Sequence, residues 1–313
     1  MKADSFTFND DEGVKIFAYK WIPDEAVRIK AVVQIAHGMG EMASRYERLA
    51  LALTNQGYAV YAHDHKGHGK TAASLDNLGY IGKAGFHGML RDMKQLTDII
   101  KSENINSPLF LLGHSMGSFL AQGYIQQYGD VLQGVILSGT NGNPGFTINA
   151  GILLAKGIAK LYGERHRSKA LNVLVFGSYN NEFKPLRTPF DWLSRDEEEV
   201  NKYIIDPYCG TLFTASFFRD FFLFLKEIHQ PNRLTRIPKQ LPIYLFSGER
   251  DPVGKKGEGV KNLVKVYNEL QINEVSYRLY IGGRHEMFNE INRDEATNDL
   301  LAWLDSIITW SGV

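Results

Sequence analysis

Leu109-Phe-Leu-Leu-Gly-His-Ser-Met-Gly-Ser-Phe-Leu-Ala-Gln-Gly-Tyr-Ile-Gln-Gln-Tyr128 is the stretch on which the reading of this chain turns. Leu109–Leu112 is a short, wholly apolar run, as a strand buried on both faces requires. Met116–Tyr128 carries apolar residues at helical spacing. Only Gly113, His114 and Ser115 separate the two, so the chain must turn sharply. Glycines stand at 113 and 117, where a larger side chain would hold strand and helix apart. Ser115 sits at the apex, at a helix N-terminus, where backbone dipoles favour a developing negative charge.

Outward from this turn, strands alternate with helices. Val14–Trp21, Ala31–Ala36, Tyr58–Ala62 and Val135–Leu137 read as strands, and Arg45–Gln56 and Phe86–Lys101 as helices. Such alternation implies a mostly parallel sheet covered on both faces. From Asn141 to about Arg236 the pattern is helical, with helices expected at Asn149–Tyr162, Asp196–Ile205 and Thr214–Ile228. Alternation resumes with a strand at Pro242–Phe246, a helix at Lys255–Leu270, a strand at Val275–Tyr280 and a helix at Arg293–Trp310. The expectation is an α/β domain formed by residues 1–140 and 237–313, interrupted by a helical insertion over 141–236.

Composition narrows the classes. A 313-residue chain with 44% hydrophobic and 22% charged residues buries a sizeable core without disulfides or metal. The formal net charge of zero argues against nucleic acid as a partner. Met1–Asp11 has an apolar Phe6–Phe8 alternation but no long apolar run, so it does not read as a signal peptide. No apolar run is long enough to span a membrane. Cys209 is the single cysteine, which excludes an internal disulfide and fits a reducing compartment; it reads as a buried structural thiol. Cytoplasmic location is the resulting expectation.

Gly113-His114-Ser115-Met116-Gly117 has the form G-x-S-x-G between strand and helix, the setting of a nucleophile elbow. A serine hydroxyl needs a base to remove its proton and an acid to orient that base. His285, in Gly282-Gly-Arg-His-Glu286 beyond the last expected strand, suits the base. Asp251, in Ser247-Gly-Glu-Arg-Asp-Pro252 beyond the preceding one, suits the acid. Glu249 competes, but the shorter side chain before Pro252 fits a fixed tight loop. The oxyanion formed on attack needs two N–H donors. Met116, after the nucleophile, supplies one. The loop His37-Gly38-Met39-Gly40 at the end of Ala31–Ala36 supplies the other, through Met39. His37, Gly38, Gly40, Gly113, His114 and Gly117 are expected to support these donors. This chemistry calls for no metal and no organic cofactor.

Five stretches together resemble the monoacylglycerol lipase and lysophospholipase group of α/β hydrolases. They are His37-Gly-Met-Gly-Glu41 with Arg45-Tyr46, Asp64-His-Lys-Gly-His-Gly69, Gly113-His-Ser-Met-Gly117, Ser247-Gly-Glu-Arg-Asp-Pro-Val253 and Gly282-Gly-Arg-His-Glu286. The resemblance implies an eight-stranded, mostly parallel sheet with a helical cap. It also implies hydrolysis of a carboxylic ester on a monoacyl lipid, a monoacylglycerol or a lysophospholipid, through an acyl-enzyme. Caps vary in this group and set substrate preference, so residues 141–236 leave the substrate open. A carboxylesterase for small soluble esters and a non-catalytic receptor on the same fold are the alternatives.

Other readings compete locally. Gly38-x-Gly40-x-x-Ala43 mimics a dinucleotide fingerprint, but no acid follows at the required distance. Gly69-Lys70-Thr71 mimics the end of a phosphate loop, but Asp64 stands where glycine is required. His63, His65 and His68 invite a metal; His63 and His65 are expected to face apart, which favours hydrogen-bonding roles in the loop. The helix Asn149–Tyr162 presents Ile152, Leu153, Leu154, Ile158 and Leu161 with Lys156 and Lys160, followed by Arg165-His166-Arg167 and Lys169. It reads either as a lid that touches lipid aggregates or as a helix packed on the domain beside a solvated basic loop. Phe217, Phe218, Phe221, Phe222 and Phe224 are expected in the cap core, one or two of them lining an acyl pocket.

Overall fold

The structure, a computed structural model, describes residues 1–24 and 27–310. Eight strands form one sheet: β1 (Lys2–Asn9), β2 (Lys15–Ile22), β3 (Ala31–Ala36), β4 (Tyr58–His63), β5 (Leu109–His114), β6 (Gly134–Ser138), β7 (Ile243–Gly248) and β8 (Val275–Tyr280). Their order is β1-β2-β4-β3-β5-β6-β7-β8. β1 and β2 pair antiparallel, as do β2 and β4; every later pairing is parallel. The expected strands are all present. β1 was not foreseen: its Phe6–Phe8 alternation is short, and its exposed edge position needs no apolar run.

β5 lies at the centre and is buried throughout. Phe110 and Leu112 pack in one hydrophobic layer with α1 (Glu47–Asn55). Leu111 packs in the other, against α2 (Gly85–Glu103) and α3 (Met116–Tyr128). Successive residues of a strand face opposite ways, so one apolar run holds both layers together.

Between β6 and β7 run α4 (Ile148–Tyr162), α5 (Lys169–Phe176), α6 (Glu197–Ile205), α7 (Ala215–Ile228) and α8 (Pro231–Leu234). Asp196 and Thr214 cap α6 and α7 by accepting backbone N–H bonds, which is why each helix starts one residue later than its periodicity suggests. α5 was not foreseen; its apolar residues run all round rather than along one face, and only Leu171 is fully buried. α7 turns Phe217, Phe218 and Phe221 onto the layer of α2 and α3, so this helical segment shares a core with the sheet. α9 (Glu258–Glu269) and α10 (Arg293–Trp310) complete the two helical layers. No helix among the described residues is long and apolar enough to cross a membrane.

The closest packing lies beside Ser115. A Cβ on Gly117 would stand 2.0 Å from the Ala36 carbonyl oxygen, and one on Gly113 would stand 2.3 Å from the Gly117 oxygen. Both obstacles are backbone and have nowhere to go. Gly117→Ala is therefore expected to push α3 off β3 and to destabilise the protein by about 2 kcal/mol or more. Chemical denaturation checks this; an unchanged midpoint would contradict the contact.

Candidate active site

Ser115 leaves β5 at φ 53° and ψ −118°, a strained backbone for a residue with a side chain. Its N–H donates to Ser138 O at 2.9 Å, and its carbonyl accepts from the Ser118 hydroxyl at 2.6 Å. The turn is thus held from both sides, with the side chain directed into a recess. That recess has about 500 Å³ of empty volume and is also lined by Met39, Met116 and His285.

Asp251 follows β7 and is fully buried. Its Oδ1 lies 3.0 Å from His285 Nδ1 and accepts the Val253 N–H at 2.9 Å. Its Oδ2 accepts the Ser247 hydroxyl at 2.7 Å. Burial alone would raise this carboxyl, but the His285 ring and the hydrogen bonds hold it below its ordinary value. Burial would likewise lower His285, and the Asp251 carboxylate overcomes it, so the imidazole is raised. A proton on Nδ1, fixed by Asp251, leaves Nε2 as the acceptor. Glu249 turns elsewhere, accepting the Gly282 N–H at 3.2 Å. Among the described residues the Ser115 hydroxyl has no hydrogen-bond partner; contacts of this kind tighten when substrate is bound.

The loop after β3 is built around two buried side chains. His37 Nδ1 bonds Gly38 O at 2.8 Å, and its Nε2 accepts the His65 N–H at 2.9 Å. Burial lowers its pKa to about 3, so the ring stays neutral and keeps both bonds. Glu41 Oε1 accepts the Gly38 N–H at 2.6 Å and the Tyr46 hydroxyl at 2.9 Å. With Gly38 occupied, the Met39 amide is among those of this loop left free. Neither Met39 nor Met116 donates to a protein acceptor among the described residues.

A model of the serine aminopeptidase S33 family matches residues 27–292. The chain belongs to that family. As a member it is a serine hydrolase, and its architecture is the α/β-hydrolase fold. It is 28% identical over 299 residues to a monoacylglycerol lipase of Mycolicibacterium smegmatis, covering 94% of each chain. It is 25% identical over 296 residues to Bacillus subtilis phospholipase YtpA, covering 93% of this chain and all of that one. The crystal structure of a Bacillus coagulans carboxyl esterase in complex with glycerol superposes with a TM-score of 0.91 at 29% identity, covering 98% of this chain and 99% of the other.

Sequence reasoning missed several members of this hydrolase's site. Arg45 binds Glu41 at 2.7 Å and clasps both Glu286 oxygens at 2.8 and 2.7 Å, with all three side chains largely buried. Burial would raise the Glu286 carboxyl, yet Arg45 holds it at about 2. One guanidinium thereby joins the Met39 loop to the residue beside His285. Gly139, at φ 57°, is the second omission: a Cβ there would stand 2.9 Å from His285 Cε1. A glycine just past β6, the strand next to β5, was the available signal. Trp192, whose ring centroid is 5.0 Å from that of His285, gave none.

The expected roles of the other histidines change. His63 and His65 do not face apart: their rings are 4.7 Å from each other, because residues two apart on extended chain share a face. Their ring nitrogens have no hydrogen-bond partners among the described residues, whereas His68 makes the expected loop bond, to Lys66 O, and His37 makes others. Burial lowers His63 to about 3, which keeps it neutral. Among the described residues no three His, Cys, Asp or Glu are arranged to hold a metal ion. Cys209 is partly exposed rather than buried.

Because Asp251 is the largest influence raising His285, Asp251→Asn leaves burial opposed only by the weaker fields of Glu286 and Glu41. The His285 titration, followed by NMR, is expected to lie above the ordinary histidine value in the parent protein and below it in the variant. The ionic pair adds stability below the unfolded-state value and loses it as pH rises through the folded one. An unmoved titration would contradict the pairing.

Proposed function

We propose that the protein hydrolyses the carboxylic ester of a monoacyl lipid, a monoacylglycerol or lysophospholipid, through an acyl-enzyme on Ser115. Ser115 attacks the carbonyl carbon while His285 Nε2 takes its proton, and Asp251 stabilises the imidazolium. The Met39 and Met116 amides receive the oxyanion. His285 gives its proton to the leaving alcohol, then takes one from water as the acyl group departs. We read residues 141–236 as a cap over residues 1–140 and 237–313, and the single cysteine as that of a cytoplasmic enzyme.

The observation that carries the lipid reading is a second cavity. It has about 960 Å³ of empty volume and runs among the helices of the cap. Met39, Phe176, Trp192 and Tyr203 line both it and the Ser115 recess. Its remaining walls include Val173, Leu186, Pro189, Phe190 and Phe213, and no charged residue. A cavity whose walls are mainly aromatic and aliphatic, interrupted by Asn172, Asn180, Asn181 and Thr211, beside the Ser115 recess suits an acyl chain. Phe221 faces the recess, whereas Phe217, Phe218, Phe222 and Phe224 are core. The names of the relatives support the same class.

Contact with lipid aggregates belongs to this reading in amended form. Ile152 is buried against the α7 side, while Leu153 is 70% and Leu161 77% exposed beside Lys156 and Lys160. The basic segment is exposed at Arg165, His166 and Lys169, yet two of its side chains are engaged: Arg165 stacks 3.9 Å from the Tyr80 ring centroid, and Arg167 bonds the carbonyls of Leu75, Asp76 and Leu212.

Glycerol monoesters with two- to eighteen-carbon chains test the proposal. Preference for long chains is expected, with Ser115→Ala slower by about four orders of magnitude. Turnover of short esters alone would transfer the assignment to a small-ester carboxylesterase. No turnover of any ester would favour a receptor. A Leu153→Ser/Leu161→Ser variant is expected to bind lipid vesicles more weakly with its soluble-ester turnover kept; unchanged binding would remove the lid role.

A further inference from the structure

A third cavity adjoins the Ser115 recess on another side. It has about 740 Å³ of empty volume, and Tyr179 lines both spaces. Its character is opposite to that of the apolar cavity: Arg250, Lys255 and Lys256 line it, against one carboxylate, Glu182. Glu182 is spent on an ion pair with Lys256. Lys255 has no ionic partner among the described residues. Arg250 makes one long side-chain hydrogen bond, 3.3 Å to Glu182 O, and lies 5.2 Å from the Phe183 ring centroid, which leaves most of its fork of donors open. Two positive charges therefore remain uncompensated at this wall.

The cationic side chains are exposed, but the backbone that carries the two lysines is fixed. Lys255 and Lys256 adopt φ 50° and 58°, left-handed values that side chains rarely take. The turn is fastened to the acid loop, with Lys256 N–H donating to Asp251 O at 2.8 Å and Lys255 N–H to Pro252 O at 3.2 Å. The segment that presents Asp251 to His285 thus also carries the two lysines that line the neighbouring cavity.

In a monoacyl lipid the ester lies between an apolar chain and a polar head. Here the Ser115 recess shares Met39, Phe176, Trp192 and Tyr203 with a largely apolar cavity, and Tyr179 with a cationic one. We propose that the cationic cavity receives the phosphate of an anionic glycerophosphate head group, which makes a lysophospholipid the preferred substrate over a neutral monoacylglycerol. Arg250 offers paired N–H donors to phosphate oxygens and Lys255 a point charge. The inference rests on the ester-hydrolase reading and goes beyond it by choosing the head group.

The test compares the full chain with an Arg250→Ala/Lys255→Ala variant on 1-oleoyl-lysophosphatidylglycerol and 1-oleoylglycerol. The ratio of kcat/KM for the charged over the neutral lipid is expected to fall at least about tenfold, the loss of two charge-assisted contacts. Lys255→Ala alone should lower the ratio by less, and turnover of the neutral lipid reports that the variants are folded. An unchanged ratio overturns the proposal. NMR titration of Ser115→Ala with millimolar glycerol 3-phosphate gives a readout free of turnover. Shifts at Lys255 and Arg250 that vanish with the double substitution are expected; no shifts, or shifts that survive it, overturn the proposal. Inorganic phosphate that binds equally well, with no change in lipid preference, would mark a site for a free anion and overturn the head-group role. If neither lipid is hydrolysed, the ester-hydrolase reading falls, while the titration still decides the cavity.

Discussion

Everything in the site depends on how closely α3 approaches β3 and β5. Gly117 lies against the Ala36 carbonyl, and no side chain fits between them. That contact allows the chain to leave β5, place Ser115 in a strained conformation and enter α3 within two residues. It also brings the end of β3 beside the start of α3, so the Met39 and Met116 amides border one recess. Strain at Ser115 costs on the order of 1–3 kcal/mol and persists because packing on both faces of the sheet outweighs it. The buried β5 side chains, divided between two layers, provide that packing.

Around this rigid centre, polar groups settle the finer geometry. Buried charges are costly unless paired, and each buried charge near Ser115 has a specific partner. Asp251 spends its oxygens on His285, Ser247 and Val253. Arg45 lies between Glu41 and Glu286, and its guanidinium is 5.0 Å from the ring centroid of Tyr203 on α6. Removing Arg45 would leave both carboxylates buried without their ionic partner, a change that costs about 3–5 kcal/mol. The Met39 loop, the His285 loop and the helical segment are thereby coupled through one side chain. Backbone bonds reinforce this, since Glu286 N–H donates to Leu193 O at 2.8 Å.

Much of this was legible in the sequence, for physical reasons. Strands buried on both faces are continuous apolar runs, so β3 and β5 stood out, whereas the edge strand β1 offered only Phe6–Phe8 alternation. The positions of Ser115, Asp251 and His285 followed from chemistry tied to strand ends, and the structure brings Asp251 and His285 to 3.0 Å. Contacts set by tertiary folding were not legible. Arg45 and Glu286 are 241 residues apart, and nothing local pairs them. The imidazoles of His63 and His65 were misjudged because their shared face was read as two. Ile152 and Leu153 are neighbours of similar hydropathy, and only the docking of α7 decides which is buried.

The central claim is that Ser115 is a nucleophile activated by His285 and Asp251. Mass spectrometry of the protein treated with a fluorophosphonate tests it most directly. The account predicts one phosphonyl adduct, on the peptide containing Ser115, formed far more slowly in His285→Ala. An adduct on another serine, or equal labelling in parent and variant, would contradict it.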